Sequence, residues 1–156
     1  MIKVLFVCHG NICRSTMAEC VMSRMVRDRG LEGEISVDSA ATSSEEIGNP
    51  IYPPAARKLR EKGVAILPHT ARRMTAADYG RYDRLIGMDE ANRRNMLRIS
   101  GGDPEGKISL LLDHARHPRE VADPWYTGDF ETAYRDIEEG CAALLESLIS
   151  GKGREK

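Results

Sequence analysis

The stretch VCHGNICRST, residues 7–16, concentrates the most reactive side chains of the chain: Cys8, then His9, Gly10, Asn11, Ile12, Cys13, Arg14 and Ser15. A cysteine attacks phosphorus only as a thiolate, which needs positive charge nearby. Arg14 supplies that charge together with a planar fork that matches two phosphoryl oxygens. Gly10 admits the backbone angles that a compact nest of N–H groups requires. These residue types, in this order, point to a phosphate-like dianion bound over a cysteine nucleophile.

A thiolate displacing an alcohol from phosphorus needs an acid for the leaving oxygen, and later a base to activate water. Asp123 meets that need, because Pro124 biases it toward extended backbone in an irregular segment between the fourth strand and the last helix. Trp125 and Tyr126 follow directly and offer walls for an aromatic ring. A nucleoside triphosphate is not indicated: Gly10 is followed by Ser15 and no Gly-Lys-Ser/Thr occurs, so the loop is no Walker A.

The elements that must position these groups follow from apolar periodicity. Residues 2–7 (IKVLFV) form a nearly continuous apolar run, as in a strand covered on both faces, so Cys8 is the residue leaving it. Met17/Ala18, Val21/Met22 and Met25/Val26 then recur at helical spacing; Thr16-Met17-Ala18-Glu19 reads as a capping box and Gly30 as a stop. The reactive loop therefore runs into a helix N-terminus, whose free N–H groups and dipole form an anion cradle and stabilise a thiolate at Cys8.

The pattern repeats with a strand at 35–40, a helix near 54–62, and a short helix started by Thr75 with Asp78. A strand at 84–88, a helix over 89–99, a strand at 107–112 and a helix over 129–149 complete it. Strands alternating with helices argue a three-layer α/β/α domain with a four-stranded parallel sheet. In such a sheet ligands bind beyond the carboxyl ends of the strands, where Cys8 sits.

Bulk properties narrow the class. A chain of 156 residues fits one domain, taken as residues 1–150 with a flexible tail at 151–156. Lys and Arg total 23 against 24 Asp and Glu, a net charge of -1, so no global field recruits nucleic acid or an anionic membrane. Residues 1–7 are too short for a signal segment and no apolar run spans a bilayer, which places the protein in the cytoplasm. Cys8, Cys13, Cys20 and Cys141 are too sparse for a disulfide framework.

Val-Cys-x5-Arg-Ser near the N-terminus, with Asp123-Pro124-Trp125-Tyr126 late in the chain, resembles the low-molecular-weight protein tyrosine phosphatases. The likeness extends to LIGMDEAN at 85–92 and HTAR at 69–72, and so to nearly the whole chain. It implies strand order 2-1-3-4, with Cys8 as nucleophile, Arg14 as phosphate clamp and Asp123 as general acid then base. It further implies that Ser15 hydrogen-bonds the thiolate, that Asn11 and His69 hold the loop, and that no metal or other cofactor takes part. Ala41, Tyr52 and the Glu45-Glu46 pair depart from the family pattern without touching these three residues, and bear on substrate preference.

Plainer roles suit other residues. Cys13 is either a small core side chain or, as the resemblance implies, a partner that forms a reversible disulfide with Cys8. Cys20 and Cys141 fall on amphipathic helices and pack. His114 and His117 read as solvated, Arg72-Arg73 as a solvated surface pair, and His9 as shaping the loop.

The function expected is hydrolysis of phosphotyrosine on a protein partner, without nucleic acid or membrane, by a monomer or weak dimer. Arsenate reduction on this scaffold needs further cysteines, and residues 80–95 have none. Protein arginine phosphatases are the nearer alternative; there the position of Ile12 carries threonine, so Ile12 and the Trp125-Tyr126 pair favour phosphotyrosine. A non-catalytic phosphate-binding or redox-sensing module is the alternative from another class, and Cys8 together with Asp123 argues against it.

Overall fold

A computed structural model describes the backbone of residues 1–154 and the side-chain surroundings of residues 1–150. Strand β1 (Ile2–Cys8) is central, and Val4, Leu5, Phe6 and Val7 are all fully buried. An apolar residue on each pleat leaves neither face for water, and each side chain contributes about 1.5–3 kcal/mol by burial. β1 pairs in parallel with β2 (Ile35–Ala41) from Ile2↔Ile35 to Cys8↔Ala41, and with β3 (Arg84–Gly87) from Val4↔Arg84 to Val7↔Gly87. β4 (Ile108–Leu110) pairs with β3, which gives the order β2-β1-β3-β4 expected.

Helices cover both faces. Val4 and Phe6 point into the larger core, shared with α1 (Arg14–Asp28), α2 (Pro53–Glu61) and α6 (Phe130–Arg154). Leu5 and Val7 point into the smaller one with Met74, Tyr79 and Met96, contributed by α3 (Ala76–Arg81), α4 (Glu90–Ser100) and the segment before them. A short α5 (Pro124–Thr127) precedes α6. Cys20 and Cys141 are buried in the larger core, as their helical spacing implied.

Several boundaries differ from those expected. α1 starts at Arg14, not Thr16, because the Cys13 carbonyl already accepts the Met17 N–H at 2.9 Å. Thr16 makes no capping box: its hydroxyl donates to the Asn11 carbonyl, and Glu19 turns away to accept from Ser39. β4 stops at Leu110, where Asp113 accepts its N–H and winds residues 111–114 into a 3₁₀ turn that buries Leu111 and Leu112. The expected tail at 151–156 is helical backbone through Arg154, as the end of α6, and residues 155 and 156 lie outside the described residues.

Candidate functional site

A cavity of about 100 Å³ opens at the carboxyl end of β1. Cys8, Gly10, Ile12, Cys13 and Arg14 line it, together with His9, Glu45 and Glu46 and with Asp123, Trp125 and Tyr126. Cys8 is the last residue of β1 and 3% exposed, so the strand delivers its sulfur to the base of the cavity. The loop then turns through Asn11, the one described non-glycine residue at positive φ (58°), a conformation that asparagine tolerates.

Behind the loop lies a hydrogen-bonded frame. The Asn11 amide donates to Ser15 Oγ and to Ser39 Oγ, both at 2.9 Å, and its Oδ1 accepts the Arg72 N–H at 3.1 Å. The Cys8 thiol donates to Ser15 Oγ at 3.0 Å, and because Ser15 Oγ also accepts from Asn11, its own hydrogen is free to turn to the sulfur once the thiol has lost its proton. The Asn11 carbonyl accepts from His69 Nε2 and from Thr16 Oγ1, which fixes His69 with its proton on Nε2. Asn11 and Ser15 are thus fully buried behind the cavity instead of lining it, and His69 braces the loop.

Arg14 is held from three directions. Its Nη1 donates to Asp89 Oδ2 at 2.8 Å and to the Val121 carbonyl at 2.7 Å, and Nη2 lies 3.3 Å from Asp123 Oδ2. Of the five guanidinium N–H donors these contacts leave Nε–H and one on Nη2, a fork available to phosphoryl oxygens. Burial pulls the Arg14 guanidinium down, but the charges of Cys8, Asp123 and Asp89 outweigh it and hold the group above its ordinary value. Burial pushes the Cys13 thiol up, and the neighbouring charges of Cys8 and Asp123 push it further, so Cys13 stays neutral.

Asp123 caps α5, its Oδ1 accepting the Trp125 N–H at 3.0 Å, which leaves Oδ2 facing Arg14. Trp125 is half exposed and rests on Tyr52, ring centroids 4.6 Å apart, while Tyr52 also abuts Phe130. The Tyr52 N–H donates to the Ile12 carbonyl, so this aromatic support is tied to the loop itself. His9 pairs with Glu45 at 3.0 Å on the open rim.

Two plainer expectations are corrected. Arg72 is not simply solvated: it makes a two-pronged contact to Asp78, which is 1% exposed, whereas Arg73 is exposed as expected, its Nε donating to the Thr42 carbonyl. Asp78 needs a cation because it is buried, and Arg72 lies within reach across the turn that opens α3. His114 is half-buried and shares a 3.0 Å hydrogen bond with Ser109, while burial holds its imidazole below the ordinary value. His117 is exposed, as expected.

Asp89 and the Val121 carbonyl went unidentified as supports of Arg14. A signal for Asp89 existed: it is an N-cap for α4, accepting the Asn92 N–H, just past the carboxyl end of a parallel strand. Val121 carries no such signal, since its contribution is a backbone carbonyl.

The arrangement can bind a phosphoryl dianion over a sulfur nucleophile with a carboxyl group poised at the entrance. A family model described as "Low molecular weight phosphotyrosine protein phosphatase" matches residues 3–153. The low molecular weight protein-tyrosine-phosphatase YfkJ of Bacillus subtilis is 39% identical over 154 residues, covering 97% of this chain and 99% of that protein. Its crystal structure superposes with a TM-score of 0.93 at 38% identity, covering 97% of each chain. The low molecular weight phosphotyrosine protein phosphatase of Gallus gallus is 39% identical over 149 residues, 92% of this chain and 94% of that protein. A Drosophila arginine phosphatase also superposes, with a TM-score of 0.85 at 29% identity over 94% of this chain and 98% of that one.

Proposed function

The chain belongs to the low molecular weight phosphotyrosine protein phosphatase family, and on that premise we propose that Cys8, Arg14 and Asp123 carry out a two-step hydrolysis of phosphotyrosine in proteins. The observation that carries this assignment is the convergence of a strand-end sulfur, a buried guanidinium and a loop carboxylate on one cavity.

The phosphoryl dianion sits in the N–H groups of the loop, two of its oxygens on the Arg14 fork. The Cys8 thiolate attacks phosphorus in line; the S–P bond forms as the P–O bond breaks, and the Asp123 carboxyl protonates the departing phenolic oxygen. Asp123, now ionised, takes a proton from water, whose oxygen attacks phosphorus. The S–P bond breaks, the thiolate is restored and inorganic phosphate leaves. The Ser15 hydroxyl, held by Asn11, stabilises the sulfur anion both as nucleophile and as leaving group. Asp89 and the Val121 carbonyl hold the guanidinium in one orientation, with its remaining N–H donors left for the phosphoryl oxygens.

Residues 1–150 serve as the phosphatase domain of a cytoplasmic monomer in this reading. Among the described residues no helix is long and apolar enough to cross a membrane. Cys13 is its redox partner: peroxide converts the Cys8 thiolate to a sulfenic acid, releasing hydroxide, and Cys13 then displaces water from that sulfur to form a disulfide. Loss of the Cys8 charge on oxidation removes one of the influences that keep Cys13 protonated.

Phosphoarginine is the second reading, supported by the likeness to the Drosophila arginine phosphatase. Ile12 on the cavity wall and the Trp125 ring braced by Tyr52 favour an aromatic ester instead. The test is phosphate release from a phosphotyrosine peptide and a phosphoarginine peptide, with the parent protein and Cys8→Ser side by side and no added metal. Steady turnover of phosphotyrosine, lost in Cys8→Ser, is expected. Release from phosphoarginine alone would transfer the assignment to the second reading.

A further inference from the structure

The rim of the cavity carries a charge pattern that the hydrolytic chemistry does not use. Glu45 stands there with a side chain 69% exposed, its carboxylate against His9 at 3.0 Å. Glu46 is fixed beside it. Its carboxylate accepts from the Asn49 amide, and its stem lies so close over the loop that a Cβ on Gly10 would stand 3.3 Å from its Cγ. The half-exposed Trp125 and the 83% exposed Tyr126 line the same cavity. Among the described residues lining the cavity, Arg14 is the one permanent cation, and Asp89 and Asp123 already compensate it.

A phosphoryl group at the base of the cavity carries the tyrosine ring outward, so the neighbouring residues of the substrate chain must cross this rim. There an acidic neighbour meets two carboxylates, and none of the described residues lining the cavity offers it a free cation. A lysine or arginine finds both carboxylates and exposed aromatic rings around the same cavity, two independent attractions for a cation. We propose that Glu45 and Glu46 are specificity-determining residues that select phosphotyrosines flanked by lysine or arginine. The substrate class is thus a basic segment of a phosphoprotein, and the proposal rests on the phosphotyrosine reading above.

The fixed position of Glu46 matters to the size of the effect. An exposed ion pair loses much of its worth to side-chain entropy, and here one partner is immobilised before substrate arrives. Each rim carboxylate then contributes up to about fivefold in kcat/KM, and the pair about tenfold between basic and acidic flanks at low salt.

The experiment compares phosphotyrosine peptides that differ only in flanking Lys, Gln or Glu, for the parent and for Glu45→Gln/Glu46→Gln. Both proteins are assayed at low salt and at about 0.5 M salt, where the Debye length falls to a few ångströms. The expected order is Lys above Gln above Glu, spanning about tenfold in the parent and shrinking to about twofold in high salt and in the double variant. Equal kcat/KM across the parent's peptides, a preference for Glu flanks, or a contrast that survives the double substitution would overturn the proposal while leaving the phosphatase reading intact. No release from any peptide, the Gln control included, would remove the reading on which it rests.

Discussion

Replacing Asn11 separates the two things this residue does. Its side chain makes three hydrogen bonds behind the loop, and its backbone holds φ at 58°. Asn11→Gly keeps the backbone freedom and deletes the bonds. Ser39 retains Glu19 as a partner and Ser15 retains Cys8, so those two losses cost about 1 kcal/mol together, whereas the Arg72 N–H is left without its acceptor at about 1–3 kcal/mol. The Gly variant is therefore expected to be about 3 kcal/mol less stable than the parent. Asn11→Ala loses the same bonds and must also hold a Cβ in the left-handed region, which places it about 1 kcal/mol below the Gly variant.

For a chain of this length 1 kcal/mol corresponds to about 2–4 °C, so the Tm values should fall by roughly 6–12 °C and 8–16 °C respectively. Urea unfolding followed by far-ultraviolet circular dichroism measures the same differences at constant temperature. Activity should fall in both variants by about 10²-fold in kcat, because Ser15 loses the partner that aims its hydroxyl and the N–H cradle loses its shape. Variants within about 1 kcal/mol of the parent, or an Ala variant as stable as the Gly one, would refute the claim that the Asn11 amide network sets the loop.

Gly140 lets α6 close on the 3₁₀ turn: a Cβ there would stand 2.5 Å from Leu111 Cγ. In Gly140→Ala the overpacking, about 1–3 kcal/mol, should exceed the gain of about 1 kcal/mol in helix propensity, and a raised Tm would contradict this packing. Lys62 and Lys58 hold the Glu131 carboxyl at about 2, below its ordinary value of 4.5. A depressed carboxylate stabilises the fold above the unfolded value and loses that contribution as pH falls toward the folded one. The gap in urea midpoint between parent and Glu131→Gln should therefore shrink progressively from about pH 5 toward pH 2, and a gap unchanged by pH would exclude the ion-pair origin. Peroxide inactivation of Cys13→Ser should be much less reversible by thiol than that of the parent, and equal recovery would remove Cys13 from the redox reading.

Much of the site was legible because it is local. The run from Val4 to Val7 can only be an interior strand, a helix must follow within a few residues, and the loop between them is too short to place Cys8 and Arg14 far apart. Asp123 was legible through its place between the fourth strand and the last helix, beside Trp125 and Tyr126; an Asp-Pro pair alone does not single it out, because Asp103-Pro104 also lies in a loop, where Asp103 accepts from Tyr79 and from the Lys107 and Ile108 N–H groups. Trp125 and Tyr126 came with it as its neighbours. Boundaries were less legible where side chains had a better partner elsewhere. Thr16 and Glu19 have the spacing of a capping box, yet the Asn11 carbonyl and Ser39 claim them.

What the chain order determined, then, is which groups react and in what succession along the first loop. Tertiary structure alone decided how they are aimed and what charge surrounds them. Asp89 meets Arg14 only because β3 lies beside β1 in parallel register, which brings the loops after both strands to the same edge of the sheet, and Val121 is carried there by its N–H, which donates to the Met88 carbonyl. Tyr52 reaches Trp125 and Arg72 reaches Asn11 by the same convergence of loops. The physical reason is range: backbone propensity and side-chain periodicity act over a few residues, whereas a hydrogen bond or an ion pair forms between any groups that the packed sheet and helices bring within about 3 Å.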